Sequence, residues 1–218
     1  MTRVLTFYHT SVGKKVVMAV TGFILFGYVA IHMLGNLQIF MGREQINAYA
    51  ATLKGNLAFL WVARLILLSA GIWHIVAAIQ LWRQSQRSRP EDYHYKEVIQ
   101  ANYASRTMRW SGPILAVFII YHLLHFTTGT VHPSFDVHDV YGNVVTSFRS
   151  WPVASFYIIA MLALGFHLRH GVWSMFQTIG TINPKSDWFF DRFATIATLA
   201  IVIGFIAIPL VIVTRLFP

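Results

Sequence analysis

The chain has 218 residues, 56% of them hydrophobic and only 11% charged, and its mean hydropathy is positive. That balance excludes a soluble domain of this size and makes a lipid bilayer the solvent. Ten histidines but no cysteine exclude disulfides, thiolate-held iron–sulfur clusters and haem attached through a Cys-x-x-Cys-His segment, so any redox centre is histidine-held. The formal charge of +9 does not point to nucleic acid, because the basic residues fall in short segments between apolar stretches, where they report membrane orientation.

Five stretches are long and apolar enough to cross a hydrocarbon core, which takes about 20 helical residues. They run from Val16 to Phe40, Leu57 to Trp82, Met108 to Thr130, Pro152 to Gln177 and Ala194 to Leu216. The predicted fold is all-α: one membrane domain over residues 1–218, a bundle of five transmembrane helices. The intervening segments, Gly42 to Gly55, Gln84 to Arg106, His132 to Ser150 and Gly180 to Arg192, are read as polar links with turn chemistry. None is large enough for a catalytic domain, so no residue here is read as catalytic. The first stretch lacks a small-residue cleavage site and is too long for a signal-peptide core, which makes it a retained span.

Arg3, Lys14 and Lys15 precede the first span, and Arg83, Arg87, Arg89, Lys96, Arg106 and Arg109 crowd the link between the second and third. By the positive-inside rule these segments face the cytoplasm, with the N-terminus inside and the C-terminus outside. No acidic residue falls inside the five stretches, which removes the most obvious buried proton relay.

Four histidines lie well inside spans: His32, His74, His122 and His167. Each comes late in its helix. Because successive helices alternate in direction, His32 and His122 fall at one depth, in the outer leaflet, and His74 and His167 at another, in the inner. A bis-histidine b-type haem needs one imidazole on each side of the iron, from facing helices at the same depth. The reading is therefore His32 with His122 for an outer haem and His74 with His167 for an inner one, their irons differing in depth by roughly 10 Å. An internal repeat supports the outer pair, since Thr21-Gly22 and Ser111-Gly112 precede His32 and His122 by the same interval. It selects His122 over the alternative His125, whereas His170, three residues from His167 on nearly the same face, stays an alternative in the fourth span. Gly22, Gly27, Gly71 and Gly165 admit either a flat macrocycle or ordinary helix packing. His9, His94, His132 and His138 fall outside the spans and are read as solvated.

The segments SVGKKVVMAVTG (Ser11 to Gly22), HMLGNLQIF (His32 to Phe40) and HLRHGVWSMFQTIG (His167 to Gly180) resemble the di-haem cytochrome b558 family, the membrane anchor of succinate:quinone oxidoreductases. The resemblance covers essentially the whole chain. It implies a multi-pass subunit of a prokaryotic cytoplasmic membrane, with two haem b groups paired first helix to third and second to fourth. It further implies cytoplasmic docking to an iron–sulfur subunit, which carries a flavoprotein, so that FAD and the clusters sit in the partners. Electrons would pass through the inner and then the outer haem to a membrane quinone, menaquinone by family likeness. A higher oligomer of the heterotrimer is compatible with the resemblance but not specified by it, and binding of nucleic acid is not expected. Some fumarate-reducing relatives carry a glutamate two residues before the fourth-helix ligand; Gly165 stands there, which favours succinate oxidation.

A quinone carbonyl needs a hydrogen-bond donor near a haem. On the outer side the candidates for quinone or haem propionates are Asn36, Gln38 and Arg64; on the inner side they are Ser11, Lys14, Lys15 and Arg169, with Trp173 as an aromatic wall. Two rival readings use the same histidines: the di-haem cytochrome b of another respiratory dehydrogenase, and a metal-ion transporter with imidazole ligands.

Overall fold

The computed structural model describes residues 7–88 and 103–216, and no strand occurs among them. Seven α-helices of nine residues or more carry the fold: α1 (Ser11–Leu37), α2 (Arg43–Gly55), α3 (Leu57–Arg87), α4 (Tyr103–Phe126), α5 (Val140–Phe148), α6 (Trp151–Thr178) and α7 (Asp187–Val213). Five of them, α1, α3, α4, α6 and α7, are long and apolar enough to span a membrane. A lipid interior offers backbone groups no water, so each span satisfies them within its own helix. The ends are capped by side chains: Thr10 Oγ1 accepts from Gly13 N at 2.9 Å and Asn56 Oδ1 from Phe59 N at 3.0 Å, while Pro152 starts α6 where its missing N–H is harmless.

Helix α1 packs along α3, α6 along α4, and α1 against α6, while α7 lies on both α1 and α6. Four helices thus follow one another in the order α3, α1, α6, α4, with no close packing of α3 on α4 among the described residues, and α7 lies along α1 and α6. Only Ala70 and Ala77 of α3 are buried, while Leu65, Leu68 and Ile72 point outward as they should toward lipid. The main core, around Phe118, Tyr157, Met161 and Ile208, lies toward one end of the bundle. That end is covered by α2 and α5, which pack on each other. We call it the capped end, and the opposite one, where Lys14, Arg83 and Arg87 stand, the basic end.

Five spans are as the apolar pattern predicts, but their limits and links differ. The last helix begins at Asp187, seven residues before the predicted Ala194, because Ser186 and Asn183 turn the chain into it. Helix α4 stops at Phe126 rather than Thr130, where Gly129 takes φ +73. Two of the predicted links are not turns: Gly42 to Gly55 contains α2, and His132 to Ser150 contains α5. Both are amphipathic rather than apolar, and bury Ile46, Val144 and Phe148 against the bundle. A further correction concerns charge, since Asp187 and Asp191 fall inside the last span, in its first two turns. His94, Arg89 and Lys96 lie outside the described residues.

The cap is tied down by polar contacts. Asp139 accepts from Gly142 N at 3.0 Å as the N-cap of α5, and from Asn47 Nδ2 of α2 at 2.9 Å. Arg43 of α2 pairs with the same carboxylate. Burial alone would raise the Asp139 carboxyl, but the bonds from Asn47, Gly142 and Arg43 outweigh it and hold it below the usual carboxylate range. Asn47 Oδ1 accepts from Tyr141 N, and Lys54 donates to the Val137 carbonyl.

Candidate functional site

The four span histidines meet in two pairs, each between helices that are not neighbours in that packing order. His32 on α1 meets His122 on α4, ring centroids 5.9 Å apart and planes at 85°; His74 on α3 meets His167 on α6, centroids 6.2 Å apart at 61°. Neither combination, α1 with α4 or α3 with α6, is among the closely packed helix pairs of the described residues, so each pair of rings spans the interior instead of sealing a helix contact. Two imidazoles that each hold a shared metal at about 2 Å have their centroids about 6 Å apart. Both pairs have that separation.

The surroundings of the two pairs differ. Near the capped end, Tyr28 stacks on His32 at 5.3 Å with an interplanar angle of 14°, and Phe118, Phe126 and Tyr157 surround His122. His122 Nδ1 is buried with no hydrogen-bond partner, an expensive state for a ring nitrogen in a dry interior. Toward the basic end both rings are held: Thr21 Oγ1 of α1 lies 3.2 Å from His74 Nδ1, and Ser111 Oγ of α4 lies 3.4 Å from His167 Nδ1. With Nδ1 occupied, Nε2 is the nitrogen left to bind something else.

The alternative ligand His125 has a different environment. Buried to 2% exposure, it meets Tyr157 Oη through Nδ1 at 2.9 Å and Ser147 Oγ of α5 through Nε2 at 3.1 Å. Both of its nitrogens are committed to a structural polar cluster beneath the cap. His170, the other alternative, has a buried and unpartnered Nδ1, but it is His167 whose ring faces His74. His132, expected to be solvated, is buried: Nε2 bonds the Asn143 carbonyl at 3.0 Å and Nδ1 accepts from Ser134 N. It closes the turn between α4 and α5, a role that hydropathy does not signal. His9 and His138 are exposed as expected.

The polar candidates do not gather into one site. Asn36 Nδ2 donates to the His32 carbonyl at 2.7 Å, Gln38 Oε1 accepts from Gln45, and Arg64 lies over Trp61 at 5.1 Å. At the basic end Ser11 opens α1 and Lys15 is exposed. Lys14 reaches Gln84 and lines an open cavity of ≈ 410 Å³ with Gln80, Arg83, Arg87 and Ser88. Arg169 pairs instead with Asp191, and Trp173 Nε1 donates to Asp187 at 3.0 Å, so these two fasten α6 to the start of α7.

Of the glycines, Gly22 faces His74, where an added Cβ would lie 3.4 Å from Cε1, and Gly165 packs on Val202 at 3.1 Å. At Gly27 and Gly71 an added Cβ would meet no other atom within 4 Å. Thr21 and Ser111 were visible in the sequence only as marks of the repeat. The signal for their role was their position: eleven residues at 1.5 Å each put them about 16 Å below His32 and His122 along their helices. That is the depth of the second pair, which widens the separation of the two pairs from the roughly 10 Å expected to about 16 Å.

Fold and site together define a class: integral membrane proteins with five spans and two facing pairs of intramembrane histidines. Within that class the chain belongs to the succinate dehydrogenase/fumarate reductase transmembrane subunit family, whose model matches residues 81–208. The matched region holds His122 and His167; His32 and His74 precede it. No curated protein and no solved structure matches the chain significantly.

Proposed function

We propose that the chain is the cytochrome b subunit of a succinate:quinone oxidoreductase, in which His32 with His122 and His74 with His167 each ligate one haem b. The observation that carries this reading is the pairing itself: two sets of facing imidazoles, each with centroids about 6 Å apart, between non-neighbouring helices of one bundle. The donor chemistry fits. His122 offers an otherwise unpartnered buried ring, the hydroxyls at His74 and His167 free Nε2 for a metal, and Gly27 and Gly71 leave space beside histidine-bearing helices. Haem iron held there would supply one-electron redox chemistry, its potential tuned by the neutral imidazoles that hold it.

The protein's part is to hold, space and insulate. Pairs stacked about 16 Å apart along the helices place two redox sites in series between the basic end and the capped end. Aromatic residues pack around His32 and His122. The basic end, oriented to the cytoplasm by the positive-inside rule, is where an iron–sulfur subunit carrying a flavoprotein would dock. The direction proposed is succinate oxidation, with electrons leaving to a membrane quinone, menaquinone by likeness to the cytochrome b558 family. The setting is a prokaryotic cytoplasmic membrane.

Family membership favours this over the cytochrome b of another dehydrogenase. The imidazoles come in twos, and no group of three or more metal-binding side chains occurs among the described residues, which disfavours a zinc or copper transporter. The test is a pyridine haemochrome assay with reduced-minus-oxidised spectra on the detergent-purified complex. Two b haems per chain, reducible by succinate, are expected; His32→Ala or His122→Ala should remove one, and His74→Ala or His167→Ala the other. Two haems surviving all four substitutions would refute the pairing.

A further inference from the structure

Resting on haem ligation by the four histidines, we infer that Thr21 and Ser111 are positioning residues for the haem at the basic end, each fixing the tautomer and rotation of one axial histidine from a neighbouring helix. Thr21 gives its case most fully. A hydroxyl has one proton, and Thr21 Oγ1 directs it to the Val17 carbonyl at 2.7 Å, with Met18 O at 3.2 Å. With that proton given to Val17, the same oxygen accepts from His74 Nδ1, 3.2 Å away, and the tautomer so favoured leaves the Nε2 lone pair for the iron. Thr21 is 8% exposed and Ser111 3%, so both hydroxyls lie inside the bundle.

The arrangement is reciprocal. Helix α1 supplies a ligand at the capped end, His32, and a hydroxyl to the α3 ligand at the basic end; α4 supplies His122 and a hydroxyl to the α6 ligand, with Ser111 Oγ 3.4 Å from His167 Nδ1. Each copy of the Thr/Ser-Gly repeat thus belongs to both sites at once. In the first copy the glycine also faces the ring, since an added Cβ at Gly22 would lie 3.4 Å from His74 Cε1. In the second copy Gly112 faces open space, so the hydroxyl rather than the glycine is the shared device. An imidazole N–H bonded to an oxygen acceptor is a more basic ligand, and it stabilises the ferric iron it binds.

The experiment is redox titration and low-temperature EPR of the purified complex carrying Thr21→Val, Thr21→Ser, Ser111→Ala or Ser111→Thr, with haem counted in each. Valine keeps the shape of threonine and removes the acceptor. The expected result is that Thr21→Val and Ser111→Ala each move the midpoint of the haem held by His74 and His167 to a more positive value and shift its low-spin g values. The other haem should stay unchanged as an internal control, and Thr21→Ser and Ser111→Thr should restore the wild-type signals. Unaltered potentials and g values in Thr21→Val, with both haems present, would overturn the assignment of the hydroxyls and leave ligation standing. A shift confined to the other haem would overturn it equally. A wild-type complex without two b haems would instead overturn the ligation reading on which the inference rests.

Discussion

Replacing Asp139 by alanine should loosen the cap over the His32–His122 end of the bundle. The carboxylate makes three contacts. Its N-cap bond to Gly142 N contributes about 1 kcal/mol, and the bond from Asn47, to a side chain 25% exposed, adds about 1 kcal/mol. The pair with Arg43, whose side chain is 58% exposed, adds no more than about 0.5 kcal/mol. The loss of about 2–2.5 kcal/mol is local, because α5 buries chiefly Val144, Ser147 and Phe148. Amide hydrogen exchange of α5 in detergent should accelerate about 30- to 60-fold, at tenfold per 1.4 kcal/mol, while α6 and α7 keep their protection. Asp139→Asn, which retains a capping oxygen, should show less than half that effect on the free-energy scale. The pH dependence has a definite sign. The folded carboxyl titrates below its unfolded value of about 3.9, so its stabilisation is complete above that value and is lost as pH falls through the lower, folded one. Protection of α5 should therefore be constant through the neutral range and decline only in acid. Unchanged α5 exchange in Asp139→Ala would refute the view that this carboxylate holds the cap.

Three further outcomes are expected. His125→Gln should retain both haems, since both ring nitrogens of His125 are occupied by Tyr157 and Ser147, yet should cost about 2 kcal/mol in thermal unfolding by disturbing two buried hydrogen bonds; loss of a haem would make His125 a ligand. Thr198→Val should be neutral or stabilising by about 1 kcal/mol in denaturant titration of the detergent-solubilised protein, because Thr198 Oγ1 is buried without a partner. Gly129→Ala should destabilise the turn after α4, where φ is +73 and an added Cβ would lie 2.3 Å from the Phe135 ring. Faster proteolysis between α4 and α5 would report it, and wild-type resistance would count against that geometry.

What was legible in the sequence follows the physics of the bilayer. A hydrocarbon core demands uninterrupted apolar runs, so all five spans could be read, and alternating helix direction converted position along the chain into depth for His32, His74, His122 and His167. The cap was not legible, because its helices lie where polar side chains are allowed. In α2 and α5, Asn47, Asp139, Tyr141 and Asn143 hold the chain by directional hydrogen bonds, and hydropathy treats such residues as loop. The same blindness hid Asp187 and Asp191, whose partners Trp173 and Arg169 let two carboxylates begin an apolar helix.

The hydroxyls beside His74 and His167 escaped for another reason. The repeat was read along each helix, as a marker of the histidine that follows it, whereas its chemistry is directed sideways. Depth arithmetic carries the information in both directions. If a histidine late in α1 lies toward one face of the membrane, then the residue three turns earlier lies at the level of the late histidine of the antiparallel α3, and Thr21 meets His74 for that reason. In a bundle whose two histidine pairs lie at two depths, each histidine-bearing helix passes both. For α1 and α4, the hydroxyl at the second depth therefore has to be read together with the histidine at the first.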